Sequence, residues 1–147
     1  MNSTFVNNIM SKNVLTVDKS ISIQQAALSM KKSNVGCVIV TENTMPIGIV
    51  TERDFVTKVA AEGRSLFTDI NEVMSSPLIT ISPEETVWEA AEMMKEKVIH
   101  KLAVKKNEKI IGIVTATDIV KISSLGSDSQ MHEICDQILL RMKNETL

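Results

Sequence analysis

Tyrosine is absent from this chain, tryptophan occurs once, at Trp88, and phenylalanine three times, at Phe5, Phe55 and Phe67. So few aromatics leave no platform on which single-stranded bases could stack. Neither sign of charge is in excess: 16 Lys and Arg stand against 18 Asp and Glu, a formal net charge of −2. That balance excludes the clustered cationic footprint of a nucleic-acid or anionic-membrane surface. Cys37 and Cys135 each stand without a second thiol nearby, so they read as buried or incidental thiols rather than a redox or zinc pair. No run approaches the roughly 20 apolar residues of a membrane-spanning helix. The opening MNSTFVNNIMSK lacks the basic start and apolar run of a secretory signal, and the chain is expected in the cytoplasm. Catalytic arrangements are missing too: there is no nucleophile elbow, no Walker loop, no paired histidines and no His-Cys set. The expectation is a non-enzyme without a metal or a resident cofactor.

What is present begins with 147 residues, 44% of them apolar and 23% charged, enough for a core about the size of one domain. The chain repeats itself. GIVTERDF from Gly48 returns as GIVTATDI from Gly112, and the same 64-residue offset places Met10-Ser11 on Met74-Ser75 and Thr16 on Thr80. It also carries Ala26-Ala27 onto Ala90-Ala91, Met30-Lys31 onto Met94-Lys95, Val40 onto Val104 and Asp54 onto Asp118. One register held without a gap over that distance is a duplication, and repeats change the fold reading before any local pattern is weighed.

Each copy predicts strand, helix, strand, strand, helix. VLTV and LITI are short extended stretches that end in polar turns, Asp18-Lys19-Ser20 and Ser82-Pro83-Glu84-Glu85. Ile23, Ala26, Ala27 and Met30, and in the second copy Val87, Ala90, Ala91 and Met94, have the spacing of one buried helical face. Ser22 and Thr86, or Ser20 and Pro83 just before them, are candidate caps. Two apolar runs follow in each copy around a turn carrying Asn43 or Asn107, a hairpin of buried strands. Phe55, Val56, Val59 and Ala60, and Ile119, Val120 and Ile122, then resume a helical pattern. The repeats are read as residues 9–58 and 73–122, joined by a polar linker at 59–72 containing Gly63. Residues 123–147 form a tail in which SSLGSDSQ breaks the chain before a last helix with Met131, Ile134, Cys135, Ile138, Leu139 and Met142 on one stripe. That stripe must cover the core or a partner.

The repeated turn has two readings. T-x-x-D, at Thr51-Glu52-Arg53-Asp54 and Thr115-Ala116-Thr117-Asp118, is close to a capping box, in which Thr and Asp only satisfy backbone donors. The same geometry suits a ligand, because a helix opening offers N–H groups and partial positive charge to an anion. An ionised Asp accepts hydrogen bonds only, so its preferred partner is a donor such as a sugar diol. Thr for phosphate and Asp for ribose, one helical turn apart, fit a nucleotide better than an inorganic ion. Gly48 and Gly112 permit close backbone approach.

These residues resemble a tandem pair of cystathionine-β-synthase (CBS) domains, a Bateman module. The similarity covers about Ile9 to Ile122 and rests on two GIVTxxD turns in one register, each preceded by a V/I-x-x-A-A-x-x-M helix. It implies an α/β (α+β) fold of two β-α-β-β-α repeats about a pseudo-twofold axis, with two clefts for adenosyl ligands such as AMP, ADP, ATP or S-adenosylmethionine. It further implies that one cleft uses Thr51 and Asp54 with Met74, Ile79, Ile99, His100 and Lys101. The other uses Thr115 and Asp118 with Met10, Leu15, Val35 and Gly36. Arg53, His100 and Lys101 face Thr117, Gly36 and Cys37 at matching positions, so the Asp54 cleft is expected to hold phosphates more tightly. For single residues plainer roles stand beside these: His100 and His132 as solvated histidines, Arg53 paired with Glu52 or Glu62, Lys31-Lys32 and Lys105-Lys106 as exposed faces, and Trp88 as a core or dimer contact.

The resemblance also implies disc-like homodimers formed through the helices. With no effector domain attached, a stand-alone sensor would act in trans on a protein target. The alternative function is a ligand-free dimerisation scaffold, in which Thr51, Asp54, Thr115 and Asp118 are caps only.

Overall fold

The structure is a computed structural model that describes residues 4–123 and 129–145, with the side chains of residues 132–140 in the last helix. Along the chain run α1 (Val6–Ile9), β1 (Thr16–Asp18), α2 (Ile23–Ser33), β2 (Cys37–Glu42), β3 (Met45–Thr51) and α3 (Glu52–Asp54). A π-helical stretch, Phe55–Ala60, and a short 3-10 turn, Ile70–Glu72, follow. Then come β4 (Thr80–Ile81), α4 (Val87–Lys97), β5 (Lys101–Lys106), β6 (Lys109–Thr115), α5 (Ala116–Ser123) and α6 (Ser129–Glu145). This is the mixed α/β fold expected, with the strand, helix, strand, strand, helix order written twice. No helix among the described residues is long and apolar enough to cross a membrane.

Two compact units result. The first is Asn13–Ile79; the second joins Met1–Lys12 to Thr80–Leu147. Each holds a three-stranded sheet, β1-β2-β3 and β4-β5-β6, in which the first pair is parallel and the second antiparallel. Even the irregularity is duplicated: the antiparallel register shifts between Val40 and Thr41 and again between Val104 and Lys105. Both hairpins close through two residues at positive φ, Asn43-Thr44 (50° and 68°) and Asn107-Glu108 (50° and 67°). That is the backbone twist a two-residue hairpin loop needs, and Asn adopts it readily.

The helices begin as the sequence predicts. The Ser22 hydroxyl accepts the Gln25 N–H at 3.1 Å while the Gln25 side chain accepts the Ser22 N–H at 3.0 Å. Thr86 and Glu89 repeat that box at α4, at 3.2 and 2.8 Å. Ile23, Ala26 and Met30 then bury against Val38, Val40, Val50, Val59, Ile70 and Val73 in the first unit. Residues 59–72, read above as a polar linker, are folded into that unit: Val59 and Ile70 are buried, and the Ile70 N–H donates to Ile21 O at 2.8 Å.

The stretch after Thr51 departs from expectation. Val59 is buried, but Val56 and Ala60 are exposed. A π-helical stretch has i→i+5 bonds and a wider turn, here Ala61 N–H to Val56 O at 2.9 Å and Arg64 N–H to Val59 O at 3.0 Å, so the α-helical spacing used to place the four apolar residues does not apply. In the second copy, α5 is α-helical and Ile119 is fully buried.

α6 lies on α4 and α5. Ile134, Cys135 and Ile138 are buried as the stripe predicts, whereas Leu139 is exposed. The side chains of Met131 and Met142, and the break at residues 124–128, lie outside the described residues. The helix therefore acts as a cap on the second unit, which settles one half of the alternative posed by its sequence. Both cysteines are buried and free; burial pushes the Cys135 thiol above its ordinary range.

Candidate functional site

Each repeated turn sits where a closing strand becomes a helix. In the first unit, β3 ends at Thr51 and the chain turns at once into α3. The Thr51 N–H donates to Asp54 Oδ2 at 2.8 Å, and the Thr51 hydroxyl lies 3.4 Å from the same oxygen. In the second unit the Thr115 N–H donates to Asp118 Oδ2 at 3.0 Å and the Asp118 N–H to the Thr115 hydroxyl at 3.1 Å. The reciprocal capping box is therefore formed at Thr115-Asp118, whereas at Thr51-Asp54 the carboxylate holds the Thr51 N–H but the hydroxyl turns to the carboxylate instead of capping.

The next amide is occupied too. Glu52 N–H donates to Gly36 O at 3.1 Å, and Ala116 N–H donates to His100 O at 2.8 Å. Fewer amides are open at these mouths than a bare helix N-terminus would offer, so the polar groups these turns present are chiefly side chains. These two bonds also tie Gly36 and His100, both candidates from sequence, directly to the turn in their own unit.

Asp54 is only 9% exposed and has a partner that the sequence reading missed. Lys58 Nζ lies 3.1 Å from Asp54 Oδ1, and it also donates to Val73 O at 3.2 Å. The signal was legible: an acid and a base four residues apart on one helical face. In the second copy Ile122 occupies the place of Lys58, so the i, i+4 pair is not repeated at Asp118. Arg53 is exposed, and Glu62, one of its two candidate partners, is held by Arg64 at 3.0 Å.

The glycines of the motif have a definite task. A side-chain carbon on Gly48 would stand 2.6 Å from Met74 Sδ and 2.8 Å from Ser75 O; one on Gly112 would meet Met10 Sδ and stand 3.0 Å from Ser11 O. Ser75 exchanges both backbone bonds with Ile49 (2.9 and 3.1 Å), and Ser11 does so with Ile113 (2.8 and 2.9 Å). Met74-Ser75 open the second repeat in sequence, yet they pair with β3 of the first. Met10-Ser11 open the first, yet they pair with β6 of the second. Each repeat thus lends its leading segment to the closing strand of the other, and each candidate Met arrives beside a Thr-x-x-Asp turn.

By unit, the first holds Leu15, Val35, Gly36, Thr51, Arg53, Asp54, Met74 and Ile79, and the second holds Met10, Ile99, His100, Lys101, Thr115 and Asp118. Leu15, Val35 and Met74 pack half-buried on the first unit's core. Leu15 continues the line of β1, since its carbonyl accepts the Ile39 N–H at 2.9 Å. Val35 and Gly36 also line an open concavity of about 420 Å³ with Glu52 and Phe55. No group of His, Cys, Asp and Glu among the described residues could hold a metal ion.

Comparison with known proteins gives this arrangement a setting. The family model described as the CBS domain matches twice, at residues 6–61 and 70–125. A protein of Methanopyrus kandleri is 38% identical over 125 residues, spanning 83% of this chain, while the chain covers 64% of that relative's length. The CBS domain-containing protein YhcV of Bacillus subtilis is 33% identical over 114 residues, with 78% and 81% of the two chains covered. Among solved structures, a protein with CBS domains from Burkholderia ambifaria superposes with a TM-score of 0.76 at 27% identity, covering 85% of this chain and 97% of that one. The CBS domain pair of protein MJ0100, in complex with 5-methylthioadenosine and S-adenosyl-L-methionine, superposes with a TM-score of 0.74 at 29% identity, covering 84% and 98%.

Proposed function

This chain belongs to the CBS domain family, and from that premise we propose that it is a non-catalytic regulatory module that binds an adenosyl ligand: AMP, ADP, ATP or S-adenosylmethionine. Thr51 and Asp54 in the first unit, and Thr115 and Asp118 in the second, are the groups that meet the ligand, with Asp taking ribose hydroxyls and Thr a phosphate or its equivalent. Met74, Ile79, Leu15, Val35 and Gly36 in the first unit, and Met10, Ile99, His100 and Lys101 in the second, line the binding surfaces. Binding shifts a two-state equilibrium of a homodimer or of a protein target in the cytoplasm. The supporting observation is the duplicated carboxylate, pinned by a backbone N–H in both copies, so its remaining lone pairs are held ready for a donor. That a related CBS pair is bound to two adenosyl compounds supports the ligand class.

The two copies place their charges differently, and that difference sorts ligands. Lys58 offsets the Asp54 carboxylate and Arg53 stands beside it, whereas the second copy has Thr117 and Ile122 at those positions and carries its cation at Lys121. A carboxylate repels phosphate unless cations lie close by, and hydrogen bonds to charged partners contribute about 1.5–3 kcal/mol each. Phosphorylated nucleotides therefore favour the Asp54 side, and neutral or cationic adenosyl compounds the Asp118 side.

A ligand-free scaffold is the second reading, favoured by the fact that both aspartates already serve as caps. A thermal-shift panel of AMP, ADP, ATP, NADH and S-adenosylmethionine separates the two, because a ligand that binds only the folded state raises the midpoint by mass action. The sensor reading expects at least one adenosyl compound to raise it in a dose-dependent way. A flat response across the panel would leave only the scaffold.

A further inference from the structure

Lys58 touches two parts of the first unit that the sequence keeps apart. Its ammonium lies 3.1 Å from Asp54 Oδ1 and donates to Val73 O at 3.2 Å. Its carbonyl accepts the Arg64 Nε–H at 3.1 Å, so backbone and side chain are both held. Val73 is buried. Directly after it come Met74, packed on Gly48, and Ser75, which exchanges two backbone bonds with Ile49. Five residues beyond Ser75 the chain enters β4 of the other unit. The ammonium thus stands between the Thr51-x-x-Asp54 turn and the segment that the second repeat lends to β3. It sits in the π-helical stretch Phe55–Ala60, a form frequent at functional sites.

We propose that Lys58 is a positioning residue that makes the seating of Met74-Ser75 on β3 depend on the Asp54 carboxylate. Holding a long flexible lysine on one neutral carbonyl costs side-chain entropy. A carboxylate 3.1 Å from Nζ offsets that cost, because bonds between charged partners are the stronger ones. Asp54 Oδ2 meanwhile holds the Thr51 N–H, so one carboxylate spans from the turn to the lent segment. In one respect this rests on the functional reading: where Asp54 takes a ribose, ligand occupancy and the seating of residues 74–75 are linked, each favouring the other. The second copy supplies the contrast. Ile122 stands at the position of Lys58, and an isoleucine offers no donor to the carbonyl of Ile9, which precedes Met10-Ser11 as Val73 precedes Met74-Ser75.

Amide hydrogen exchange on the whole chain, followed residue by residue by NMR without ligand, tests it. The Ser75 and Ile49 amides are the reporters, and the Ile39 amide, bonded to Leu15 O, gauges the sheet as a whole. Lys58→Met is expected to speed exchange at both reporters by roughly fivefold or more relative to Ile39. Asp54→Asn keeps the shape and an acceptor for the Thr51 N–H but loses the charge. It is expected to do the same, although its bonds go to Thr51 and Lys58 and not to Ser75. The double variant is expected to add little to either single one, as members of one network do. Asp118→Asn is expected to leave Ser11 and Ile113 unchanged. Reporters indifferent to Asp54→Asn, additive effects in the double variant, or an equal rise at Ser11 on Asp118→Asn would each overturn the proposal. Adding AMP separates it from the functional reading: AMP is expected to slow exchange at Ser75 in the parent and not in Lys58→Met. If AMP binds but protects Ser75 equally in both, the link through Lys58 fails and the reading stands. If no adenosyl compound binds, the reading fails and the ligand-free variants still decide the link.

Discussion

Val98 ends α4 in the left-handed conformation, φ 56° and ψ 48°, where the first copy has Asn34 at φ 54° and ψ 49°. Asn tolerates that region, while a β-branched residue is a clear outlier there; left-handed backbone costs an L-residue roughly 1–2 kcal/mol. Val98 is 58% exposed, so little burial offsets the strain. Val98→Asn should therefore stabilise the protein by about 1 kcal/mol, read as a higher urea midpoint with an unchanged slope. A midpoint that falls or stays put would show that the valine side chain contributes more than the backbone loses. The sequence showed the matching pair at 34 and 98 but not their shared φ, because a helix C-cap is set by the chain direction that follows it. Lys58 was readable as a partner of Asp54 from its spacing, but its second bond, to Val73 O, was not, because that depends on how a segment fifteen residues on folds back.

At the scale of elements, the parts with local causes were legible. The Ser22-Gln25 and Thr86-Glu89 boxes, the Asn43 and Asn107 hairpins and the buried helix stripes each follow from residues within a turn of one another. The π-helical stretch was not legible, since nothing in FVTKVA separates i→i+4 from i→i+5 bonding. Nor was the folding of residues 59–72 onto the first unit, where two buried apolar residues, Val59 and Ile70, outweigh a polar composition. For α6 the stripe was readable but its covered surface was not. If the helix stays seated, iodoacetamide at neutral pH should modify Cys135 far more slowly than in the unfolded chain, because the thiol is buried and its ionisation is pushed up. Ile138→Ala, which removes a buried contact of the kind that costs about 2–5 kcal/mol, should speed that modification. Peptide mass spectrometry would follow Cys135 separately from Cys37. Modification of the parent at the unfolded rate would mean that α6 does not stay on α4 and α5.

At the scale of the whole molecule, one duplication produces both the sameness and the differences. Its 64-residue register was plain in the sequence, and so was the likeness to a CBS pair. The exchange of leading segments was present only as what that likeness implies, Met74 with Thr51 and Met10 with Thr115; the backbone pairing of Ser75 with Ile49 and of Ser11 with Ile113 comes from the structure. The glycines were read as permitting a close approach, and the approaching groups prove to be those two Met-Ser segments. Matching turns were then altered unequally, Lys58 against Ile122 and Arg53 against Thr117, so that similar cradles place their charges differently. Isothermal titration of AMP into the parent and into Asp54→Ala tests the account at its centre. A charge-assisted hydrogen bond contributes about 1.5–3 kcal/mol, so the variant should bind about tenfold more weakly or worse. Equal affinity of parent and variant, or no heat of binding in the parent from any adenosyl compound, would contradict it.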